Sequence, residues 1–598
     1  MTRFAILRRR FLFAGCFALF LAARPAAATI EYKISLAHPE KHLFQVDMRV
    51  PVAPDERDLI VALPAWNALY QVRDFAYRVR DVRVGKAAAG GSAVTAFKLD
   101  KQTWRIPASA AVDGSVVIEY SISWDESGPF NSQLNARHSF VNFAEVLMYV
   151  PDRRVEDVEV RFTDVPSDWR SIAELPAGHE SHSFTASSYD ALVDAPVEIG
   201  KFEEFEFDSG GAHFRVVVDS REWNRATLED SLKRITGYEL KLMGGPPPFK
   251  EYTFYFHIGT YPDAGGGGME HANSTAIGGS SVEMVVAIAA HEFLHTWNVK
   301  RIRPQSLEPV DYTKEQYSRA LWFAEGVTNT YTSLTLQRSG IWTKDKWYAD
   351  LAQQVCELES RPARKWQSVE ESSLDTWFDK YDAYNLPDRS ISYYNKGQLI
   401  GDMLDLAIRG ATDNRKSLDD VLRSLNEAAK QGKFYDESAG IRSAVEAISG
   451  TSFEDFFRRY VSGLDEIPYD QFLVHAGLVL KSESRLSADP GFLVGRSPQG
   501  PVVLTVTSGS AAQAAGLHVD DVLVELNGAP ISGRISAWLR ERVPGETIEL
   551  KIRRGGQERE LTFALGSREE NQCTVVEIAH PTEKQLRIRA GLLRGTTD

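Results

Sequence analysis

His291-Glu292-Phe293-Leu294-His295 sits inside a run, Val282 to Val299, whose apolar residues recur at three- and four-residue intervals and predict one helix. Residues four apart on a helix share a face about one turn apart, so both imidazoles reach a single ion. Glu292, beside the first of them, is placed to take a proton from water activated by that ion rather than to bind it. Five residues thus supply two metal ligands and a base.

A catalytic metal of this kind needs a third protein ligand and one position left open for water. Tyr317 to Gln337 is a second helical pattern, and in it Leu321-Trp322-Phe323-Ala324-Glu325-Gly326 sets one carboxylate among apolar neighbours. An unpaired carboxylate there is costly; a metal offsets the cost, and a salt bridge to a nearby arginine is the alternative. Thr328 and Asn329, one turn on, are candidate donors to the ligands.

His291-Glu292-Phe293-Leu294-His295-Thr296-Trp297-Asn298, then Arg301-Ile302-Arg303-Pro304, then Leu321 to Gly326, together resemble the glycyl aminopeptidase family of zinc peptidases. The resemblance spans nearly the whole mature chain. It implies one catalytic Zn2+ held by His291, His295 and Glu325, with Glu292 as base, and removal of N-terminal residues from peptides, with Gly or Ala suggested by the family name. Gly266-Gly267-Gly268-Met269-Glu270-His271 is similar to the Gly-x-Met-Glu exopeptidase motif, which lies along the substrate. Glycines let a backbone approach a bound peptide, and Glu270 can pair with a free α-ammonium. His271 stands where the larger aminopeptidase family has Asn, and a glycine run is also an ordinary loop. Tyr393-Tyr394-Asn395-Lys396-Gly397 resembles the Tyr-x-Lys-Gly of thermolysin-like aminopeptidases, which makes Tyr394 the donor to the developing oxyanion. Tyr393 is its close competitor, and either tyrosine also reads as a packing residue at a helix start.

Around this centre the patterning changes twice. Residues 29–207 carry short alternating runs such as Val116-Val117-Ile118-Glu119-Tyr120-Ser121-Ile122, separated by Pro, Gly and Asp, and predict an all-β sandwich that shapes a neighbouring site. Residues 210–473 mix a few strands with long helices, among them Tyr394 to Arg409, and form the α+β catalytic domain, thermolysin-like by the resemblance. Residues 474–566 return to short strands; Ser510-Ala511-Ala512-Gln513-Ala514-Ala515-Gly516-Leu517 and Asp520-Asp521-Val522-Leu523 resemble bacterial protease PDZ domains, and Asn527-Gly528 marks a tight turn. Such a domain takes a peptide C-terminus by strand addition, with Gly477-Leu478 as the candidate carboxylate loop. The tail, residues 567–598, receives no function.

At 598 residues the chain exceeds one hydrophobic core, and 43% hydrophobic with 25% charged residues describes an ordinary globular protein. The formal charge of -14 repels a phosphate backbone, so no nucleic-acid partner is expected. Lys300-Arg301-Ile302-Arg303 reads as a solvated or salt-bridged segment. Residues 1–28 look like a secretory leader, with Arg8-Arg9-Arg10, the apolar stretch Phe11 to Ala23 and Ala26-Ala27-Ala28 for cleavage near Ala28; the expectation is an exported protein, periplasmic or secreted, with no membrane span in the mature chain. Of three cysteines, Cys16 leaves with the leader, and Cys356 and Cys573, in different predicted domains, are expected to be unpaired thiols.

Two rival functions remain at this stage. A zinc endopeptidase shares the chemistry without needing Glu270, and a PDZ-containing peptide-binding protein would keep the zinc site as a vestige.

Overall fold

The computed structural model of the chain describes residues 29–67, 70–85, 95–220, 223–259, 266–378, 386–437, 439–497, 499–531, 538 and 542–598. The expected leader lies outside them. Among the described residues no helix is long and apolar enough to cross a membrane.

Period-two patterning builds the N-terminal β domain. In Leu43–Pro51 the residues Phe44, Val46, Met48 and Val50 are buried while their neighbours face outward, as alternation across a strand requires. This strand lies inside a six-stranded sheet, and four- and three-stranded sheets complete the domain. The strands His138–Val141 and Val197–Gly200 are buried on both faces, because one face of their sheet meets the next domain through Phe140 and Ile172 against Val217, Tyr255 and Ala276.

The central α+β region starts from a five-stranded sheet in the order Glu203–Ser209, Ala212–Asp219, Glu251–Ile258, Ser274–Gly279, Gly267–Glu270. The last strand is an edge. Helices Arg225–Met243 and Val282–Leu294 pack beneath it, and Thr328–Arg338, Lys344–Glu359 and Tyr393–Thr412 continue one large core. The metal-motif helix is shorter than its apolar pattern predicts. After Leu294 the chain turns, because the Asn298 amide donates to the Phe323 carbonyl at 2.9 Å and ties the following residues to the next segment. The predicted start at Tyr317 also moves, to Leu321: Glu437 accepts hydrogen bonds from Ser318 and from the Arg319 backbone N–H, which holds these residues extended.

The C-terminal domain has its own core of Phe492, Val503, Leu517, Leu523, Ile548 and Ile552. Asn527 and Gly528 both take positive φ, 49° and 76°, joining paired residues Leu526 and Ala529, so the predicted turn forms. The domain is inserted at the tip of a ribbon. Strands Leu478–Asp489 and Gly566–Glu577 pair antiparallel throughout, Leu478 opposite Glu577 and Asp489 opposite Gly566. Past the ribbon, helix Glu583–Arg594 returns to the central core and buries Ile588 and Leu592 there.

Two expectations are corrected here. Cys356 and Cys573 form a disulfide, with Cα atoms 5.8 Å apart; the ribbon brings Cys573 back onto helix Lys344–Glu359, a contact that sequence distance hides. Gly477 and Leu478 are not a carboxylate loop: Gly477, at φ 64°, caps the short helix Val474–Ala476, and Leu478 is buried in the central core.

Candidate functional site

Ser281 starts the metal-motif helix by accepting a hydrogen bond from the Met284 N–H at 3.2 Å, and its far end carries His291, Glu292 and His295. Glu325 arrives from a wider, π-type turn, Trp322–Val327, that precedes helix Thr328–Arg338; such turns recur at functional sites because they re-aim one side chain within a helix. The three ligand atoms form a triangle. His291 Nε2 lies 3.0 Å from His295 Nε2, and Glu325 Oε2 lies 3.3 Å from each.

Ligands about 2.0 to 2.1 Å from a tetrahedral ion stand about 3.3 Å apart, so this triangle fits one face of a zinc coordination shell. The electrostatics agree. Burial opposes charge on Glu325, yet His295 and His291 beside it hold its carboxyl well below the usual range. Burial likewise opposes charge on His295, but Glu325 outweighs it and raises the imidazole to about 10. Burial wins at His291, whose pKa is lowered. A carboxylate this strongly held beside an imidazole drawn toward its cationic form marks a point that stabilises a cation.

Each imidazole is oriented through its other nitrogen. His295 Nδ1 donates to the Asn298 carbonyl at 2.6 Å, and His291 Nδ1 faces the Thr332 hydroxyl at 3.3 Å. The candidate donors Thr328 and Asn329 do not take these places. The Thr328 hydroxyl donates to the Ala324 carbonyl and accepts from the Asn298 amide, at 2.7 and 3.1 Å, so it steadies the loop that orients His295. Thr332 lies four residues beyond Thr328, on the same helical face, and that spacing was the signal for it.

The edge strand Gly267–Glu270 crosses above this centre with alternate residues facing opposite ways. Gly268 and Glu270 face the ligands. A Cβ on Gly268 would stand 2.3 Å from a Glu292 carboxylate oxygen, so only glycine leaves Glu292 its place. Oxygens of Glu270 and Glu292 and a nitrogen of His295 lie within 4.8 Å of one another. Gly267 and Met269 face the β domain instead: Gly267 abuts Phe130, and the Met269 sulfur accepts from the Asn142 amide at 3.5 Å. Of the four residues expected along a substrate, Met269 is therefore buried against the neighbouring domain. His271 turns away from the centre toward Asp194, at 3.4 Å. Lys300 and Arg303 are salt-bridged, to Asp194 and Glu308, both at 2.6 Å.

The two tyrosines separate. Ser392 caps helix Tyr393–Thr412, accepting from the Asn395 N–H at 3.3 Å, which puts both in the first turn. Tyr393 is fully buried with its hydroxyl 3.1 Å from Thr376. Tyr394 is half-buried, its ring centroid 6.2 Å from that of His291. Close contact between Gly326 and Gly397 sets this approach: a Cβ on Gly326 would come within 2.5 Å of the Gly397 Cα.

A cavity of about 310 Å³ adjoins Glu270, and the β domain supplies Trp66, Asn67 and Tyr70 to its wall. Sequence reasoning missed these three, since nothing in an alternating β pattern marks which turn reaches another domain. A larger cleft of about 1390 Å³ between the domains includes none of the metal-site residues.

The model of the M61 glycyl aminopeptidase family matches residues 284–400, that of the peptidase M61 N-terminal domain residues 31–201, and that of the PDZ domain residues 477–565. No curated protein matches the chain significantly. Among solved structures the chain is similar to an aminopeptidase N family protein from Idiomarina loihiensis, at 23% identity over 94% of this chain and 100% of that one, with a TM-score of 0.79. An M1 zinc metallopeptidase from Deinococcus radiodurans aligns at 15% identity over 74% of this chain and 95% of that one, with a TM-score of 0.48. At 23% identity the likeness to the Idiomarina structure is one of fold.

Proposed function

The chain belongs to the M61 glycyl aminopeptidase family, and on that premise we propose that it is a zinc-dependent aminopeptidase that removes N-terminal residues, Gly or Ala foremost, from peptides. The observation that carries this reading is the convergence of Glu270 with Glu292 and His295 at the edge strand of the central sheet. An edge strand accepts an extended peptide by backbone pairing. A carboxylate at its end pairs with a free α-ammonium and limits binding to the first residue.

His291, His295 and Glu325 would hold the zinc, which supplies Lewis acidity to activate water and polarise the scissile carbonyl. Glu292 takes the proton of the attacking water and returns it to the leaving amine. Tyr394 donates a hydrogen bond to the oxyanion while remaining neutral. No covalent intermediate is needed.

Turnover of a free peptide is compared with that of its N-acetylated form, alongside zinc content. The proposal expects loss of turnover on acetylation and stoichiometric zinc; equal turnover of both forms would instead favour an endopeptidase. A panel of aminoacyl substrates ranks Gly and Ala against larger residues. The PDZ domain is assigned a peptide C-terminus as ligand, tested by titrating the full chain with a peptide acid and its amide. Export is part of the same proposal. It is supported by the leader-like residues 1–28 and by the disulfide, a bond that persists in oxidising compartments; the N-terminal sequence of the protein recovered from a periplasmic fraction tests it.

A further inference from the structure

A second group of metal-ligating side chains lies where the β domain meets the central sheet. His138 opens the strand His138–Val141, Glu198 lies in Val197–Gly200, and His257 lies in Glu251–Ile258 of the central sheet. All three are buried, at 4%, 1% and 5% exposure. One potential ligand atom from each falls within 4.8 Å of the others, the criterion that the catalytic triangle also meets. Glu198 presents one oxygen to each histidine, 2.8 Å to His138 Nδ1 and 3.0 Å to His257 Nε2.

Asp219 adjoins His138 and is the candidate for a fourth ligand. Asp219 pairs with His257 in the parallel register of the central sheet, and its Oδ2 stands 3.8 Å from His138 Nδ1. Asp219 is about a third exposed, which gives an entering ion a path from solvent. Separations of 2.8 to 3.8 Å bracket the roughly 3.3 Å between ligands of a tetrahedral ion. The backbone leaves room for the imidazole. His138 faces Gly200 across the ladder, and a Cβ on Gly200 would come within 2.8 Å of the His138 Cβ. Phe140 closes one side, its ring 5.1 Å from that of His257.

We propose that His138, Glu198, His257 and Asp219 form a second, structural transition-metal site of the zinc class that staples the β domain to the central sheet. Four protein ligands close the site, as is usual where a metal holds structure and no position is kept for substrate. Two ligands come from each domain, so binding free energy is available only when the domains are docked, and it adds to the stability of that docking. The polar cluster lies beside the apolar contact of Phe140 with Tyr255 and Val217. The site is independent of the catalytic triangle, which shares no residue with it.

The full chain, stripped by chelation and reloaded with Zn2+, is expected to carry about two zinc ions per chain. Glu198→Gln and His257→Ala each lower this to about one without abolishing peptidase turnover. Because either variant risks misfolding, the converse is also measured: Glu325→Ala retains about one equivalent, and Co2+ in its place shows the visible bands of a tetrahedral N/O site. Adding Zn2+ to stripped Glu325→Ala also raises its melting temperature. One equivalent in the wild-type chain that Glu325→Ala abolishes overturns the second site and leaves the catalytic reading standing, the four side chains then being a hydrogen-bonded clamp only. Two equivalents that persist in both Glu198→Gln and His257→Ala overturn it as well.

Discussion

At the scale of single residues, two tyrosines adjacent in sequence have different surroundings, and that difference is testable. Tyr394→Phe is expected to lower kcat by about 10² to 10³-fold with little change in KM, as removal of an oxyanion donor does. Tyr393→Phe, whose hydroxyl lies 3.1 Å from Thr376 in the buried interior, leaves kcat within about threefold. Glu292→Gln keeps bound zinc while lowering kcat by about 10² to 10⁴-fold, a separation checked by metal content beside turnover. Glu145 gives a prediction of stability rather than rate. Burial raises its pKa to about 7 although Arg73 stands 2.9 Å away. Between pH 4.5 and 7 the folded state therefore binds more protons at this group than the unfolded state, so its contribution to stability falls as pH rises, by an amount on the order of 3 kcal/mol. The melting temperature of Glu145→Gln across this window is expected to decline less steeply than that of the wild-type chain.

At the scale of elements, the site depends on a close crossing between the Trp322–Val327 turn and helix Tyr393–Thr412. Gly326 and Gly397 let backbone meet backbone there, so the turn that aims Glu325 and the helix end that carries Tyr394 are fixed by one contact. Gly397→Ala puts a Cβ within 2.4 Å of the Trp322 carbonyl oxygen. It is expected to cost about 1 to 3 kcal/mol of stability, as overpacking does, and to lower kcat because the two elements must separate. Denaturant unfolding and steady-state kinetics on the same variant read both effects. The edge strand obeys a similar rule. Its two-residue alternation turns Gly268 and Glu270 toward the candidate site and Gly267 and Met269 toward the β domain, so one four-residue strand serves both the site and the domain contact.

At the scale of the whole molecule, the chain leaves the peptidase core, builds the PDZ domain and comes back. The disulfide and Lys344–Glu577 at 2.6 Å fasten the returning strand to the core, and Arg589–Glu577 at 3.1 Å ties the following helix to that strand. Ending the chain at Leu473 removes Leu478, Val575, Ile588 and Leu592 from that core and is expected to give insoluble or inactive protein. Replacing residues 490–565 by a tight turn joins the paired residues Asp489 and Gly566 and preserves both solubility and peptidase turnover. Comparison of the two deletions by soluble yield and activity checks the inserted arrangement. Cys573→Ser, or reduction of the intact chain, is expected to cost about 2 to 4 kcal/mol, because the bond closes a span of 217 residues in the unfolded chain.

Local signals were enough for the three-part architecture and for nominating the residues of the candidate centre. Helical spacing puts His291 and His295 on one face wherever that helix packs, and period two makes β structure of residues 43–51 in any setting. Turn chemistry at Asn527-Gly528 is likewise a property of those two residues. What required the tertiary structure is whatever depends on two segments far apart in sequence. Thr332 reaches His291 only because two helices pack against each other. Met269 faces Asn142, Cys356 meets Cys573, and His138 shares Glu198 with His257 only because domains dock and a ribbon doubles back. Periodicity tells each residue which side of its own element it occupies, but it carries no information about what lies opposite that side, and packing of the whole chain decides that.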